Sequence, residues 1–405
     1  MNPKEDLFFM VLSVYNYDIE MSFISSDNSE SRIVPQSIQY IIIDNDYKSC
    51  IMPTICIRIK LDASIYNKMV ADLGKGKVGL NIMKYNTSGT SNVKISYIQD
   101  QFDYIMSDDL SNTSGMDKLV EGQGVAFKTC TIGLVKKELT ENLQRQFNGV
   151  YTNTTMSSLV LDATSNFKLV MEPFKYNTTI ENLVVPPIDS VSKYISYLNN
   201  KYNFYGDQYL FYLDFDKAYL KSQSGRYIDA KDGHHKYIAI DIQDLTKYQS
   251  HTTGMVIDKE QDAYIIYVDK HDADYNTDRI STQIAANIVS IDETGVVGTS
   301  TVDTSAIINT IPDNDSTVYV KNSDPNITEY MANIISNNSV TIQITKTDMD
   351  NSVFTPNKQY LISNYEGNNA FTGRYFLVGK KEVFLNRGQY FTSGITLLLK
   401  MVLHY

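Results

Sequence analysis

Few residues in this sequence have types and spacing that invite chemistry. Asp272, Asp274, Asn276 and Asp278 place oxygen side chains at every second position, as a calcium loop does. The rest of that pattern is missing. Thr277 stands where glycine permits the sharp turn, and Gln283 stands where a bidentate Glu closes the shell. A hydrophilic loop is therefore expected over 272–278. Asp214-Phe215-Asp216 closes a strand-like run, and a metal there needs ligands from elsewhere. Charges at a strand edge that discourage wrong pairing are the favoured reading of these two carboxylates.

The five histidines are His234, His235, His251, His271 and His404. His234 and His235 follow Lys231-Asp232-Gly233, which reads as an exposed turn, and solvated or partly packed imidazoles are expected throughout. No HExxH, GxSxG or Cys-His arrangement occurs. Gly74-Lys75-Gly76-Lys77 lacks the Walker spacing and a following Ser or Thr, so a hairpin turn between strands accounts for it better than a phosphate cradle. Cys50, Cys56 and Cys130 cannot all pair within one chain and fit no zinc spacing; buried, inert thiols are expected. The expected catalytic, cofactor-binding and metal residues are accordingly none, and no cofactor is implied.

The elements that would position any site are mainly strands. From Thr54 to Asp62, Ile55, Ile57, Ile59 and Leu61 alternate with Cys56, Arg58 and Lys60, the period of a half-buried strand. Ile38 to Ile43, Val78 to Met83 and Val93 to Ile98 extend this pattern. The clusters Asp44-Asn45-Asp46, Gly74-Lys75-Gly76 and Asn86 to Gly89 read as turns between them. After Val135 the period changes. Leu139, Leu143 and Phe147 recur every four residues, and Asn148-Gly149 reads as a helix stop. Thr154 or Thr155 is expected to cap a second short helix reaching Ala163. A third is expected over Asp189 to Asn203, behind Pro186-Pro187, with an apolar stripe of Val191, Tyr194, Ile195, Leu198 and Tyr202. Tyr209 to Phe215 is a strand. The last part returns to strands at Val340 to Thr345, Gln359 to Ser363, Tyr375 to Val378 and Ile395 to Met401. One helix, from Asp324 through Pro325 to Asn337-Asn338, interrupts them.

The chain has 405 residues, enough for two or three cores, and 42% hydrophobic content supplies them. No apolar run approaches the roughly 20 residues that span a bilayer; the stretch Ile395 to Leu403 is interrupted by Lys400. Glu5 and Asp6 make the N-terminus a poor signal peptide, so a soluble chain made in the cytoplasm is expected. The sequons at Asn86, Asn153 and Asn177, and 30 Tyr with no Trp, reflect an Asn- and Tyr-rich composition. A formal charge of -11 argues against a sequence-independent nucleic-acid binder, which needs a basic footprint, and is compatible with a surface past which DNA slides.

One arrangement goes further. Gly149-Val-Tyr-Thr-Asn-Thr-Thr-Met156, Glu172-Pro173-Phe174-Lys175-Tyr176-Asn177, Val184-Val-Pro-Pro187 opening a helix with Tyr197-Leu198, and the strand Leu210 to Asp216 follow in order. With the C-terminal helix, the strand Val340 to Thr345, a Thr355-Pro356 turn and strands ending in Phe391 to Met401, this resembles the tail baseplate hub proteins of long-tailed bacteriophages. The likeness covers about 149–224 and 324–402; Asn357 stands where Gly is expected after Pro356, and 229–315 matches nothing. The resemblance implies a mainly β fold: two tube-type antiparallel β-barrel domains, with an α+β middle region. The expected division is a first barrel over 1–105, the middle domain over 106–228 and a second barrel with an inserted helix over 229–405. It also implies a non-enzymatic virion protein, a homotrimer whose ring joins the hexameric tail tube to a three-fold spike or tip, with DNA passing through the lumen. Two other classes compete: a surface adhesin stiffened by calcium at Asp272 to Asp278, and a metal-dependent hydrolase using Asp214, Asp216 and His271.

Overall fold

The structure is a computed structural model that describes residues 14–47, 52–87, 93–108, 127–175, 177, 179–205, 209–215, 217–222, 237–244, 255–258, 263–276, 285–291, 297–303, 317–321, 341–364 and 372–404. The N-terminal strands are β1 (Tyr15–Ile24), β2 (Glu30–Ile33), β3 (Ile38–Asp46), β4 (Thr54–Asp62), β5 (Lys77–Asn86), β6 (Ile95–Asp108) and β7 (Phe127–Val135). In β4 the alternation places Ile55, Ile57, Ile59 and Leu61 inward, all nearly inaccessible, and Lys60 outward. Asp44-Asn45-Asp46 is not a turn. Those residues stay in β3 because their backbones pair with Gly379–Lys381 of a C-terminal strand. Nor is Gly74-Lys75-Gly76 a hairpin. It follows a helix that the alternation concealed, α1 (Ala63–Ala71), which Asp62 caps by accepting from the Ser64 backbone N–H at 2.7 Å. Asp62, with Tyr66 and Met69 on one face, is the signal for it.

The middle of the chain holds α2 (Lys137–Leu143), β8 (Phe147–Thr155), α3 (Met156–Ala163), β9 (Leu169–Met171), β10 (Thr179–Ile188), α4 (Val191–Tyr202), β11 (Tyr209–Leu213) and β12 (Ala218–Ser222). Thr155 caps α3 as expected. Ser190 caps α4, and Asn203 ends it at φ 52°. Val191, Tyr194, Ile195 and Leu198 are buried along one side of α4. Asn148-Gly149 does not end a helix: both lie in β8, which forms a two-stranded antiparallel ribbon with β10. Strands β11, β12 and β9 form a small sheet in which β12–β9 is parallel.

The C-terminal strands are β13 (Tyr237–Gln243), β14 (Met255–Asp258), β15 (Ala263–Asp269), β16 (Ala273–Asn276), β17 (Ala285–Ile291), β18 (Val297–Asp303), β19 (Thr317–Lys321), β20 (Thr341–Thr347), β21 (Gln359–Asn364), β22 (Gly373–Asn386) and β23 (Phe391–His404). The helix expected from Asp324 lies outside the described residues. Two separate antiparallel barrels are not what these strands make. One mixed 15-stranded sheet runs β14-β15-β13-β21-β22-β3-β4-β7-β6-β5-β1-β23-β20-β16, with β2 on β1. Within it β13 pairs in parallel with both β15 and β21. The hairpin β22–β23 is the reason for the continuity. Its strands are 14 residues long; Gly373–Tyr375 of β22 meets β21, while Gly379–Leu385 meets β3. Because β22 and β23 also pair with each other, the path β22-β3-β4-β7-β6-β5-β1-β23 returns to its start.

Three apolar cores result. The first gathers Ile19, Phe23, Ile41, Ile57, Ile82, Phe102 and Ile132 with Phe384 and Phe391 from the hairpin. The second gathers Ile240, Ile266, Ile344, Phe354, Tyr360, Leu377 and Leu399. The third packs α3 and α4 against β11 and β12 through Leu159, Ile195, Leu198, Phe211 and Leu220. Strands β11 and β12 are buried on both faces, since Leu210, Tyr212 and Tyr219 turn toward the second core instead.

Candidate functional site

Between the first and second cores, polar side chains replace apolar ones. In β22, Lys380 and Glu382 occupy alternate positions that point inward, with 7% and 1% of their side chains exposed. Lys380 Nζ lies 3.1 Å from Glu382 Oε2 and donates to the Tyr97 hydroxyl of β6 at 3.0 Å. Tyr97 in turn donates to the Glu382 carboxylate, 2.9 Å from either oxygen. Burial, reinforced by the Glu382 charge, raises the Tyr97 pKa well above its ordinary value and keeps the phenol protonated.

A second pair lies nearby. Lys84 of β5 reaches both oxygens of Asp350, at 2.9 and 2.7 Å, and donates to Ser352 Oγ at 2.5 Å. Asp350 also accepts from the Ser352 backbone N–H at 3.1 Å and from its hydroxyl at 2.6 Å, capping the short 3-10 turn Asn351–Val353. Buried pairs of this kind add little net stability, because desolvation offsets most of the attraction.

Asp350 belongs to the connection from β20 to β21, residues 348–358, which touches the first two cores and strands β11 and β12. At its start Tyr15 N donates to Asp348 O, Asp348 N to Ser393 O, and the Tyr17 hydroxyl to Met349 O while accepting from Asn351 N. At its end the Thr355-Pro356 turn closes with Lys358 N donating to Thr355 O at 3.2 Å. Asn357 is absent from the positive-φ residues, so glycine is not needed there. Its side chain accepts from the buried Tyr212 hydroxyl of β11 at 2.9 Å. Lys221 of β12 donates to the Pro356 and Asn357 carbonyls at 3.4 and 3.3 Å. Burial pushes the Lys221 pKa down to about 8, against a smaller upward pull from Glu172. A cleft of about 500 Å³ opens beside this connection, walled by Asn45, Tyr47, Tyr97, Tyr212, Phe354 and Glu382.

Those of the residues singled out for chemistry that the structure describes lie on separate elements. Asp214 sits at the end of β11, where Oδ1 accepts from Phe215 N at 2.9 Å; Asp216 lies outside the described residues. His271 lies in the 3-10 turn Lys270–Asp272, its backbone N–H on Asp269 Oδ1. His234, His235, His251 and the His404 side chain lie outside what is described. Of the stretch expected as a loop, 273–276 is instead strand β16, paired with β20, and the rest beyond Asn276 lies outside the described residues. Burial lowers the pKa of Lys346 in β20, against smaller upward pulls from the charges of Asp272 and Asp269. Among the described residues no group of three or more His, Cys, Asp or Glu is disposed to hold a metal ion. Cys56 is half-buried and Cys130 buried; burial raises the Cys56 pKa. No helix among the described residues is long and apolar enough to cross a membrane.

The fold is similar to that of a solved tail protein. The tail protein from Neisseria meningitidis MC58 superposes with a TM-score of 0.52 at 11% identity, over 94% of this chain and 96% of that one. The 43 kDa tail protein of prophage MuSo2 from Shewanella oneidensis gives 0.49 at 9% identity, over 95% and 100%. The E. coli c3393 protein, a type VI secretion component described as structurally similar to the T4 tail proteins gp27 and gp5, gives 0.45 at 7% identity over 91% and 75%. At such identities the likeness is one of fold. By sequence, the chain belongs to the family described as Bacteriophage PBS1 gene 109 protein, matched over residues 7–402. No curated protein matches it.

Proposed function

We propose that the chain is a non-enzymatic structural component of a bacteriophage tail, a baseplate or tail hub. It assembles as a homotrimeric ring that joins the hexameric tail tube to a three-fold spike or tip and lines the DNA channel. The observation that carries this reading is the β22–β23 hairpin. One end of it completes a ladder of eight strands that returns on itself, and the other end carries β21, β13 and β15 on one side and β20 and β16 on the other. Two tube-type barrel units sharing one hairpin, repeated in three copies, present six similar walls around an axis. The phage family and the tail-protein fold support it.

The proposed units are a first barrel near 1–105, a middle α+β unit to about 228, and a second barrel beyond. Strand β7 and the Phe384–Phe391 end of the hairpin join the first core. A charge of -11 suits a lumen that repels DNA and lets it slide. Electron microscopy of assembled tails, with mass measurement of their composition, tests the proposal. Three copies per tail on the axis are expected; another stoichiometry, or a location off the axis, overturns it.

A further inference from the structure

We infer that the connection 348–358 is a latch, poised to undock, that couples the first core to the small sheet β9-β12-β11 of the middle unit. It bonds to both, by Lys84 to Asp350 and Ser352 at one end and by Tyr212 and Lys221 to Asn357 and Pro356 at the other. The first core and the chain leaving β11 also pack directly, with Phe215 edge-on to Phe102 of β6 at 5.8 Å, so the latch supplies a polar link beside an apolar one.

The latch is docked at a local cost. Asp348 holds φ at 58°, in the left-handed region where a residue with a Cβ is strained. Asn351 is wholly buried, and its side-chain Nδ2 has no hydrogen-bond partner. A segment with a strained entry and an orphaned buried amide is held by its external contacts and not by its own conformation. The strongest of those contacts is the Lys84–Asp350 pair. The latch also covers polar ground: it walls the cleft lined by Asn45, Tyr97, Lys380 and Glu382, so lifting it exposes groups that water can satisfy. Two arrangements of one segment, biased from both ends, meet the requirement for coupling.

Amide hydrogen exchange on the full chain, read by mass spectrometry, tests this. Asp350→Asn keeps the shape and removes the charge. Exchange is expected to rise at least tenfold over 350–358 and also over Tyr209–Leu213 and Ala218–Ser222, which Asp350 does not touch, while β4 and β7 stay protected. Coupling is reciprocal, so Tyr212→Phe, which deletes only the bond to Asn357, should accelerate exchange at the Ser352 amide. Should Asp350→Asn fail to fold, Ser352→Ala, which loses one bond to each of Lys84 and Asp350, must give the same pattern at smaller amplitude. Acceleration confined to the latch and β5, or spread evenly along the chain, overturns the inference. So does a Tyr212→Phe effect that stops at β11 and β12.

Discussion

Replacing Lys221 by Met should reverse the sign of its effect on stability between neutral and alkaline pH. The ammonium is buried between β12 and the Thr355–Lys358 turn, and its pKa falls to about 8 from the ordinary 10.5. A shift of that size corresponds to about 3 kcal/mol of cost for keeping the amine charged in the folded chain. The folded-state pKa is depressed, so between about pH 8 and 10 the unfolded chain binds more protons, and wild-type stability rises with pH across that window. Below about pH 8 it is flat. Integrating the linkage from about pH 7 to about pH 10 gives a gain of roughly 2 to 3 kcal/mol from this group alone.

Met keeps the stem in place and removes the amine, leaving the Pro356 and Asn357 carbonyls without a donor, which costs about 1 to 2 kcal/mol at any pH. The variant should therefore be more stable than wild type by about 1 kcal/mol near pH 7 and less stable by about 1 kcal/mol near pH 10. Urea unfolding followed by far-ultraviolet circular dichroism at both values measures it. Tyr17, Tyr47, Tyr97, Tyr212 and Tyr360, all raised by burial, oppose the trend above about pH 10. They are common to both proteins and cancel in the difference. A difference between variant and wild type that does not change with pH would refute the reasoning.

Leu198→Asp sets a carboxylate into the third core, where Leu198 is fully buried, and should cost about 4 kcal/mol or more; an unchanged thermal midpoint rules out the packing of α4. Lys84→Met alone leaves Asp350 buried without its cation and should cost about 3 to 5 kcal/mol, whereas Lys84→Met with Asp350→Leu should recover most of that in a double-mutant cycle by urea unfolding. Gly76→Ala would bring a Cβ within 2.8 Å of the Phe23 ring and 3.1 Å of the Ile24 carbonyl, and should lower stability by about 1 to 3 kcal/mol in the same assay.

The sequence by itself determined what depends on neighbours along the chain. The alternation from Ile55 to Leu61 made β4, Thr155 stopped one segment and capped α3, and the stripe from Val191 to Leu198 made α4, because periodicity and capping act over a few residues. The same local reading failed at Asp44-Asn45-Asp46, Gly74-Lys75-Gly76 and Asn148-Gly149. There, partners far along the chain, or a helix ahead, decided whether polar residues turn or extend. What the tertiary structure alone decided is the joint. Lys84 and Asp350 are 266 residues apart, and Tyr212 and Asn357 are 145 apart. Lys380 and Glu382, spaced as an outward-facing charged pair of a strand, turn inward because β22 runs from the second core into the first and Tyr97 bonds to both of them there. Alternation records that one face of a strand differs from the other. It does not record which strand lies alongside, and that pairing is what brings these charges into one buried place.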